Sequence, residues 1–253
     1  MKALIVLHRI RERAVACAAV LCVVLGWAGG AFGQSSPAPA SPADAVTGEE
    51  VREFDIFVKG KPAGRSTIRI RAASDGRVTA NTEAKVSLSF VVYTYRYEYH
   101  GSETWHNGRL LEAQSQAVDD GKRLGVRATV DGQGSRIALV GQPAQQGPIL
   151  WMTTSYWHLP RIEPSAALTI LDADTGRQLV SRLERVATET FPLAGGRAPC
   201  THYRLIGDAN AELWFDASDR LVRQKTVEDG YPTELRLARL TSPAGLMQTT
   251  ATR

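Results

Sequence analysis

Residues 54–71 of the chain read FDIFVKGKPAGRSTIRIR, and this stretch decides the fold. Apolar side chains recur in it at every second position, as Phe54, Ile56, Val58, Ile68 and Ile70. A period of two is typical of strands that bury one face and expose the other. The glycines and the proline of residues 59–64 predict the turn between the two strands. The stretch is therefore expected to form an antiparallel hairpin with one buried face.

The same alternation continues to residue 240, interrupted by turn residues at hairpin spacing. Asn-Gly and Asp-Gly pairs among these turns favour type I′ geometry, which needs positive φ at both central residues. The further predicted turns lie at 74–76, 106–108, 119–121, 131–132 and 172–176. A strongly twisted sheet of this width curls. The chain is therefore predicted to be all-β, a single antiparallel meander of about ten strands curled into a half-barrel or barrel.

Residues 148–158 depart from this alternation. Their apolar residues cluster without a strict period, as Ile149, Leu150, Met152, Tyr156 and Trp157. Pro148 suits the start of a helix, and Pro160 suits the position just after its end. We expect one short helix here, which plugs or covers the sheet.

The charge of the chain is basic, but the excess is local. The 253 residues carry a formal net charge of +4. Four of the 30 basic and one of the 26 acidic residues lie within residues 1–33, which leaves +1 for the rest. No basic patch and no nucleic-acid partner are therefore expected. With 43% hydrophobic and 22% charged residues, the composition also excludes a disordered chain and a multi-span membrane protein.

The N-terminus has the three parts of a secretory signal peptide. A basic region ends at Arg13, an apolar run extends from Ala14 to Trp27, and small residues lead to Gly33. The signal peptide is therefore placed at 1–33. The Pro-, Ala- and Ser-rich residues 34–50 are predicted to be a disordered linker. A single β domain is expected at 51–242, followed by a frayed tail at 243–253.

These N-terminal features predict a periplasmic or secreted protein. No later apolar run approaches the roughly 20 residues that span a bilayer, so no transmembrane segment is expected after signal removal. An uncleaved anchor is the alternative. Cys200 is the one cysteine outside the signal, and no internal disulfide is expected. An outer-membrane barrel would need an apolar outward band, whereas Arg65, Arg69 and Arg71 share one strand face.

A ladder of tyrosines is the most unusual local feature. Four tyrosines at alternate positions from 93 to 99 share one face of a strand. They either pack the concave wall or line a pocket for an apolar or sugar-like ligand. Aromatic residues of the 148–158 segment would close that pocket. The predicted ligand-binding residues are Tyr93, Tyr95, Tyr97, Tyr99, Trp151, Tyr156 and Trp157.

No catalytic residue, metal site or cofactor is predicted. The spacing of the four histidines outside the predicted signal peptide matches no zinc signature; these are His100, His106, His158 and His202. Cys200 and His202 share a strand face, but no third group that would orient the histidine is identifiable. Residues 172–176 are similar to part of a calcium loop, yet Leu183 stands where an EF-hand has glutamate. Glycine-rich phosphate loops between a strand and a helix are absent from the sequence.

Short motifs occur in a characteristic order along the mature chain. They are GKPAG (60–64), YRY (95–97), ETW (103–105), DDGK (119–122), SYW (155–157), LDADTG (171–176) and LWFD (213–216). In this order the chain resembles an uncharacterised family of exported bacterial β-rich domains of unknown function. The resemblance implies an exported β-rich domain, loosely similar in fold to the curved sheets of periplasmic lipoprotein carriers. It implies no activity and no set of catalytic residues.

The sequence therefore predicts an exported noncatalytic β domain that binds an apolar or amphipathic cell-envelope component in its concave sheet. One alternative is a hydrolase of envelope lipid or glycan that uses Glu98, His100 or His158. The other is a structural or interaction domain with a filled core. A cavity above about 300 Å³ lined by the tyrosines favours binding, whereas a packed interior favours the structural or interaction domain. The oligomeric state stays open.

Overall fold

The computed structural model describes residues 46–160, 166–193, 196–228 and 230–242. Nowhere in these ranges is there a helix of the length and apolarity needed to cross a membrane. The strands are β1 (Val46–Val58), β2 (Lys61–Ala73), β3 (Arg77–Phe90), β4 (Tyr93–His106), β5 (Arg109–Asp119), β6 (Lys122–Val130), β7 (Ser135–Leu139), β8 (Gln145–Gly147), β9 (Met152–Thr153), β10 (Ala167–Leu171), β11 (Gln178–Leu193), β12 (Gly196–Gly207), β13 (Ala211–Phe215), β14 (Leu221–Glu228) and β15 (Tyr231–Thr241).

All these strands belong to one sheet, in the order β8-β7-β6-β5-β4-β3-β2-β1-β15-β14-β13-β12-β11-β10-β9. The two strands from opposite ends of the chain, β1 and β15, thus pair in the middle. The chain runs outward from β1 to the β8 edge, passes to β9 at the other edge, and returns to the middle through β10–β15. Neighbouring strands are antiparallel except for the short parallel pair of β9 and β10. The predicted all-β half-barrel is confirmed, as an open sheet.

Curling brings the two halves of this sheet into contact. Gly147 of β8 lies against the side chain of Gln178 of β11. The turn between β10 and β11 enters the curl, where its Ala173 carbonyl accepts a hydrogen bond from the Ser115 hydroxyl of β5. The interior is therefore shared by strands that are far apart in the sheet order.

The described residues form fifteen strands, and the expectation of about ten was too low. The surplus lies partly near the edges, where β7, β8 and β9 have only 5, 3 and 2 residues. Such short strands give no alternation long enough to detect in sequence.

The predicted type I′ turns are confirmed at two hairpins. Asn107 and Gly108 have φ of 52° and 75°, and Asp120 and Gly121 have φ of 49° and 84°. Both central residues are thus left-handed, which matches the twist of the flanking strands. The first turn is shorter than predicted, because β2 already begins at Lys61.

The prediction of a short helix at 148–158 is wrong. Met152 and Thr153 form β9 and pair in parallel with Ile170 and Leu171. Tyr156 has a φ of 49°, which an α-helix does not contain. The consecutive β-branched and hydroxyl residues at 153–155 have low helix propensity, and their side chains bond elsewhere. The segment is nevertheless buried inside the curl, with Tyr156 and Trp157 in the main core.

The predicted linker is also too long, because β1 begins at Val46. Residues 46–50 are part of the sheet, and Glu50 is buried at an inward position together with Arg52. The predicted signal peptide and tail lie outside the described residues.

Candidate functional site

A cleft of about 620 Å³ opens across the ends of β1, β2, β3 and β4. Residues from both alternating positions of these strands line it. The buried inward positions are Ile56, Ala63, Val86 and Tyr97. The other lining residues are Asp55, Phe57, Pro62, Gly64, Arg65, Lys85, Ser87, Arg96 and Glu98.

A local irregularity between β1 and β2 shapes the cleft. The register shifts between Ile56 and Phe57, which pair with Gly64 and Pro62, so Ala63 is the extra residue of a β-bulge. A Cβ atom added at Gly64 would lie 1.9 Å from the carbonyl oxygen of Lys85. Glycine is therefore required where β3 passes this close to β2, and the Pro-Ala-Gly sequence builds a bend instead of the predicted turn.

The rim of the cleft carries one more positive charge than negative charges. Arg65 lies 3.4 Å from Asp55, and Lys85 lies 3.8 Å from Glu98. Arg96 is exposed and forms no ion pair with another described residue. Phe57 and Pro62 add apolar surface beside these charges, so the cleft combines an apolar lining with a rim that has one uncompensated guanidinium.

The predicted tyrosine ladder does share one face of β4, and three of its four members are fully enclosed. Tyr95, Tyr97 and Tyr99 are at most 2% exposed, and Tyr93 is half-buried at the start of the strand. The Tyr95 hydroxyl donates to Asp119 at 2.9 Å, and the Tyr97 hydroxyl donates to Asp174 at 2.9 Å.

Burial raises the pKa of these three phenols above the usual value, and the neighbouring aspartates raise it further. The phenols therefore stay neutral, and the hydroxyls of Tyr95 and Tyr97 act as hydrogen-bond donors that fasten the interior.

Two of the seven predicted ligand-binding residues line a described cavity. Tyr97 reaches the 620 Å³ cleft. Tyr156 lines a separate cavity of about 110 Å³ near Arg177 and Gln224. Trp151 is half-buried, and Trp157 is 3% exposed within the core. The ligand-binding role of the seven stays a prediction, and the structure does not gather them around one cavity.

A buried carboxylate, which the sequence did not single out as a site, organises the interior. Glu103 of β4 accepts hydrogen bonds from the indoles of Trp105 and Trp157, each at 3.0 Å, and from the Thr153 hydroxyl at 2.7 Å. The Thr153 and Ser155 hydroxyls lie 2.7 Å apart. Three donors converge on this carboxylate, so it fastens residues 153–157 to β4 and is poorly placed to accept a substrate proton.

A second buried charge lies close by. Arg52 donates to Glu50 at 2.6 Å and to the carbonyl of Trp157 at 2.5 Å. Burial lowers the pKa of Arg52, and Glu50 opposes this shift. The sequence does contain a signal for this pair, because Glu50 and Arg52 occupy the same alternating, inward-facing positions of β1 as Phe54.

The residues of the hydrolase alternative do not come together. Glu98 and His100 occupy exposed positions of β4, and Glu98 pairs with Lys85. His158 packs its ring 4.2 Å from that of Trp105 and 4.1 Å from that of Trp157, on the inward side. His158 thus lies on the opposite side of the sheet from Glu98 and His100, which share the outer face of β4, so the three are not gathered in one site.

Cys200 and His202 share a face of β12, as predicted, but they form a packed cluster and not a nucleophile with its base. Burial raises the pKa of the Cys200 thiol, which disfavours the thiolate. The His202 ring stacks on Trp214 at 4.2 Å, with Glu189 and Glu212 at its two nitrogens. In the part of the chain that is described, no group of three or more His, Cys, Asp or Glu residues is arranged to hold a metal ion.

Fold and site together define an open, barrel-like β domain whose β1–β2 hairpin contains a β-bulge beside the cleft. Comparison with known families then gives the identity of the chain. It belongs to the family described as domain of unknown function DUF6134, whose model matches residues 54–238. No curated protein matches the sequence. The predicted membership in an uncharacterised β-rich family is confirmed.

Two solved structures match the chain in the structural comparison. One is the beta-barrel-like protein of domain of unknown function DUF1849 from Brucella abortus. It has a TM-score of 0.59 and 8% identity over 78% of this chain and 98% of that chain. The other is described as an outer membrane lipoprotein-sorting protein domain from Vibrio parahaemolyticus, with a TM-score of 0.27 and 10% identity over 81% of this chain and 90% of that chain. The first likeness shows the fold alone.

Proposed function

We propose that this protein is an exported, noncatalytic β domain that binds an amphipathic cell-envelope molecule in the cleft between β1 and β4. The observation that carries the proposal is the combination, in that cleft, of the apolar residues Phe57 and Pro62 with a rim of net positive charge. Its volume of about 620 Å³ lies within the range of small-molecule sites, about 300–1,000 Å³. An acyl chain fits against Phe57 and Pro62, and an anionic head group fits beside Arg96.

The chemistry of the interior supports binding over catalysis. The buried tyrosines stay protonated, Glu103 already accepts three hydrogen bonds, and burial raises the pKa of Cys200. These interior groups therefore have packing and hydrogen-bonding roles, and burial disfavours the thiolate that a Cys200 nucleophile would need.

A structural domain with a filled core is the second candidate. The observation that favours it is the complete burial of Tyr95, Tyr97 and Tyr99, two of which bond to protein carboxylates. In that case the cleft is a surface feature without an occupant.

Native mass spectrometry of the protein purified from the periplasmic fraction separates the two candidates. Binding predicts a retained mass, or uptake of added dodecyl phosphate, at one molecule per chain. Ser87 lines the cleft from an exposed strand position, where tryptophan is tolerated, so Ser87→Trp is expected to fill the cleft and abolish the added mass.

Thr67→Trp is the matched control, because Thr67 lies on the outer face of β2 and does not line the cleft. Retention by the control and loss in Ser87→Trp support the proposal. A wild-type protein that neither retains a ligand nor takes up the probe would leave the filled structural domain.

A further inference from the structure

The hairpin between β3 and β4 ends in an apolar tip that faces solvent. Val91 and Val92 are 103% and 94% exposed, and Phe90 is 41% exposed. Single exposed valines are ordinary on protein surfaces. Three adjacent exposed apolar residues at the end of a projecting hairpin form a patch, and such patches mark interaction surfaces.

The base of this tip is rigid. Phe90 pairs with Tyr93 across the turn, and their rings stack with centroids 6.5 Å apart. Two residues further down, Leu88 pairs with the buried Tyr95, whose hydroxyl is held by Asp119. The tip is thus presented on an ordered pair of long strands.

The charged residues nearest to the tip on its two strands are both positive. Residues 86–95 contain no charged side chain, and the first charges on the two strands are Lys85 and Arg96, both positive. Lys85 pairs with Glu98, which leaves Arg96 as the unpaired cation. The neighbouring β5–β6 turn adds no net charge, because its acidic and basic residues balance: Asp119, Asp120, Lys122 and Arg123.

We propose that this tip docks the protein on an anionic lipid membrane by inserting Val91 and Val92 into the interfacial layer. A strand rises about 3.3 Å per residue, so Arg96 lies roughly 13 Å behind Val92. An interfacial segment enters the boundary between head groups and acyl chains by about 5–10 Å. At that depth the Arg96 side chain reaches the phosphate level, and Tyr93 lies in the layer that tyrosines favour.

This inference goes beyond the proposed function and does not depend on it. The cleft needs an occupant for the first proposal, whereas docking needs only the exposed tip and its flanking cation. Ser87 and Arg96 line the cleft and lie beside the tip, so a docked protein would hold the cleft next to the lipid surface.

Cosedimentation with lipid vesicles tests docking. The protein, purified from cells that express and process the full chain, is mixed with vesicles of phosphatidylglycerol and phosphatidylcholine in equal parts. The double variant Val91→Asp/Val92→Asp is expected to lower the partition coefficient by about tenfold or more, since it removes the two apolar side chains that insertion would bury in the interfacial layer. Arg96→Gln is expected to lower it by about fivefold on these vesicles and to have little effect on pure phosphatidylcholine.

Val186→Asp is the matched control, because Val186 is 46% exposed on β11 in the other half of the sheet. It is expected to bind vesicles as the wild type does. Wild-type protein that stays in the supernatant with anionic vesicles would overturn the proposal, as would a tip variant that binds as well as the control. Sedimentation velocity adds a third outcome: a dimer that the tip substitutions dissociate would assign the tip to self-association and not to lipid.

Discussion

Replacing Glu103 tests whether one buried carboxylate fastens the internal segment to the sheet. Glu103→Leu would leave the indoles of Trp105 and Trp157 without an acceptor, whereas the Thr153 hydroxyl still has Ser155 at 2.7 Å. Each buried unpaired donor costs about 1–3 kcal/mol. The free energy of unfolding is therefore expected to fall by about 2–6 kcal/mol.

Urea denaturation followed by tryptophan fluorescence measures this loss. Glu103→Gln keeps an oxygen for the two indoles, and its amide can donate to Thr153, so it should lose less than half as much stability. Glu98→Leu is the control on the same strand, because its exposed pair with Lys85 contributes about 0–1 kcal/mol. The reasoning is refuted if Glu103→Leu is no less stable than Glu98→Leu.

Other consequences can be measured on the same protein. Gly64→Ala should lower the free energy of unfolding by about 1–3 kcal/mol, because the added Cβ would clash with the Lys85 carbonyl. Gly132→Ala is the control and should lower it much less, because the space around Gly132 is open. Equal urea midpoints for the two variants would contradict this. The buried phenols of Tyr95, Tyr97 and Tyr99 have a pKa above the usual 10.0 in the folded protein. The stability that they contribute is therefore complete below about pH 10 and falls as the pH rises above it, so the urea midpoint should decrease between about pH 9 and about pH 11. A urea midpoint that stays constant over this range would contradict the expectation. Burial raises the pKa of Cys200, so peptide mass spectrometry should find slow alkylation in the folded protein and fast alkylation in urea, and similar rates would show the thiol to be accessible.

Local patterns in the sequence were sufficient for most of the strands and turns. The period of two in residues 54–71 and the Asn-Gly and Asp-Gly pairs depend on backbone geometry alone, so each hairpin can be predicted independently. The tyrosine ladder follows the same rule, because alternate residues of a strand share a face.

Contacts between distant residues explain what the sequence did not show. The helix predicted at 148–158 was locally plausible, but the hydrogen bond from Thr153 to Glu103 spans 50 positions. The partner of the Tyr97 hydroxyl lies 77 positions away at Asp174, so a filled interior could not be distinguished from an open one. The cleft depends on a β-bulge and on the close approach of β3 to Gly64, and both involve the pairing of β1, β2 and β3 and not a single local pattern.

The most direct test of the proposed binding site is a nuclear magnetic resonance titration of the isotope-labelled protein with dodecyl phosphate. Binding in the cleft predicts nuclear Overhauser contacts from the alkyl chain to the side-chain protons of Phe57, Pro62 and Ser87. The phosphate should perturb the guanidinium of Arg96 in the same titration. Contacts confined to other surfaces, or no contacts to these three residues at saturating probe, would contradict the assignment of the cleft as the ligand site.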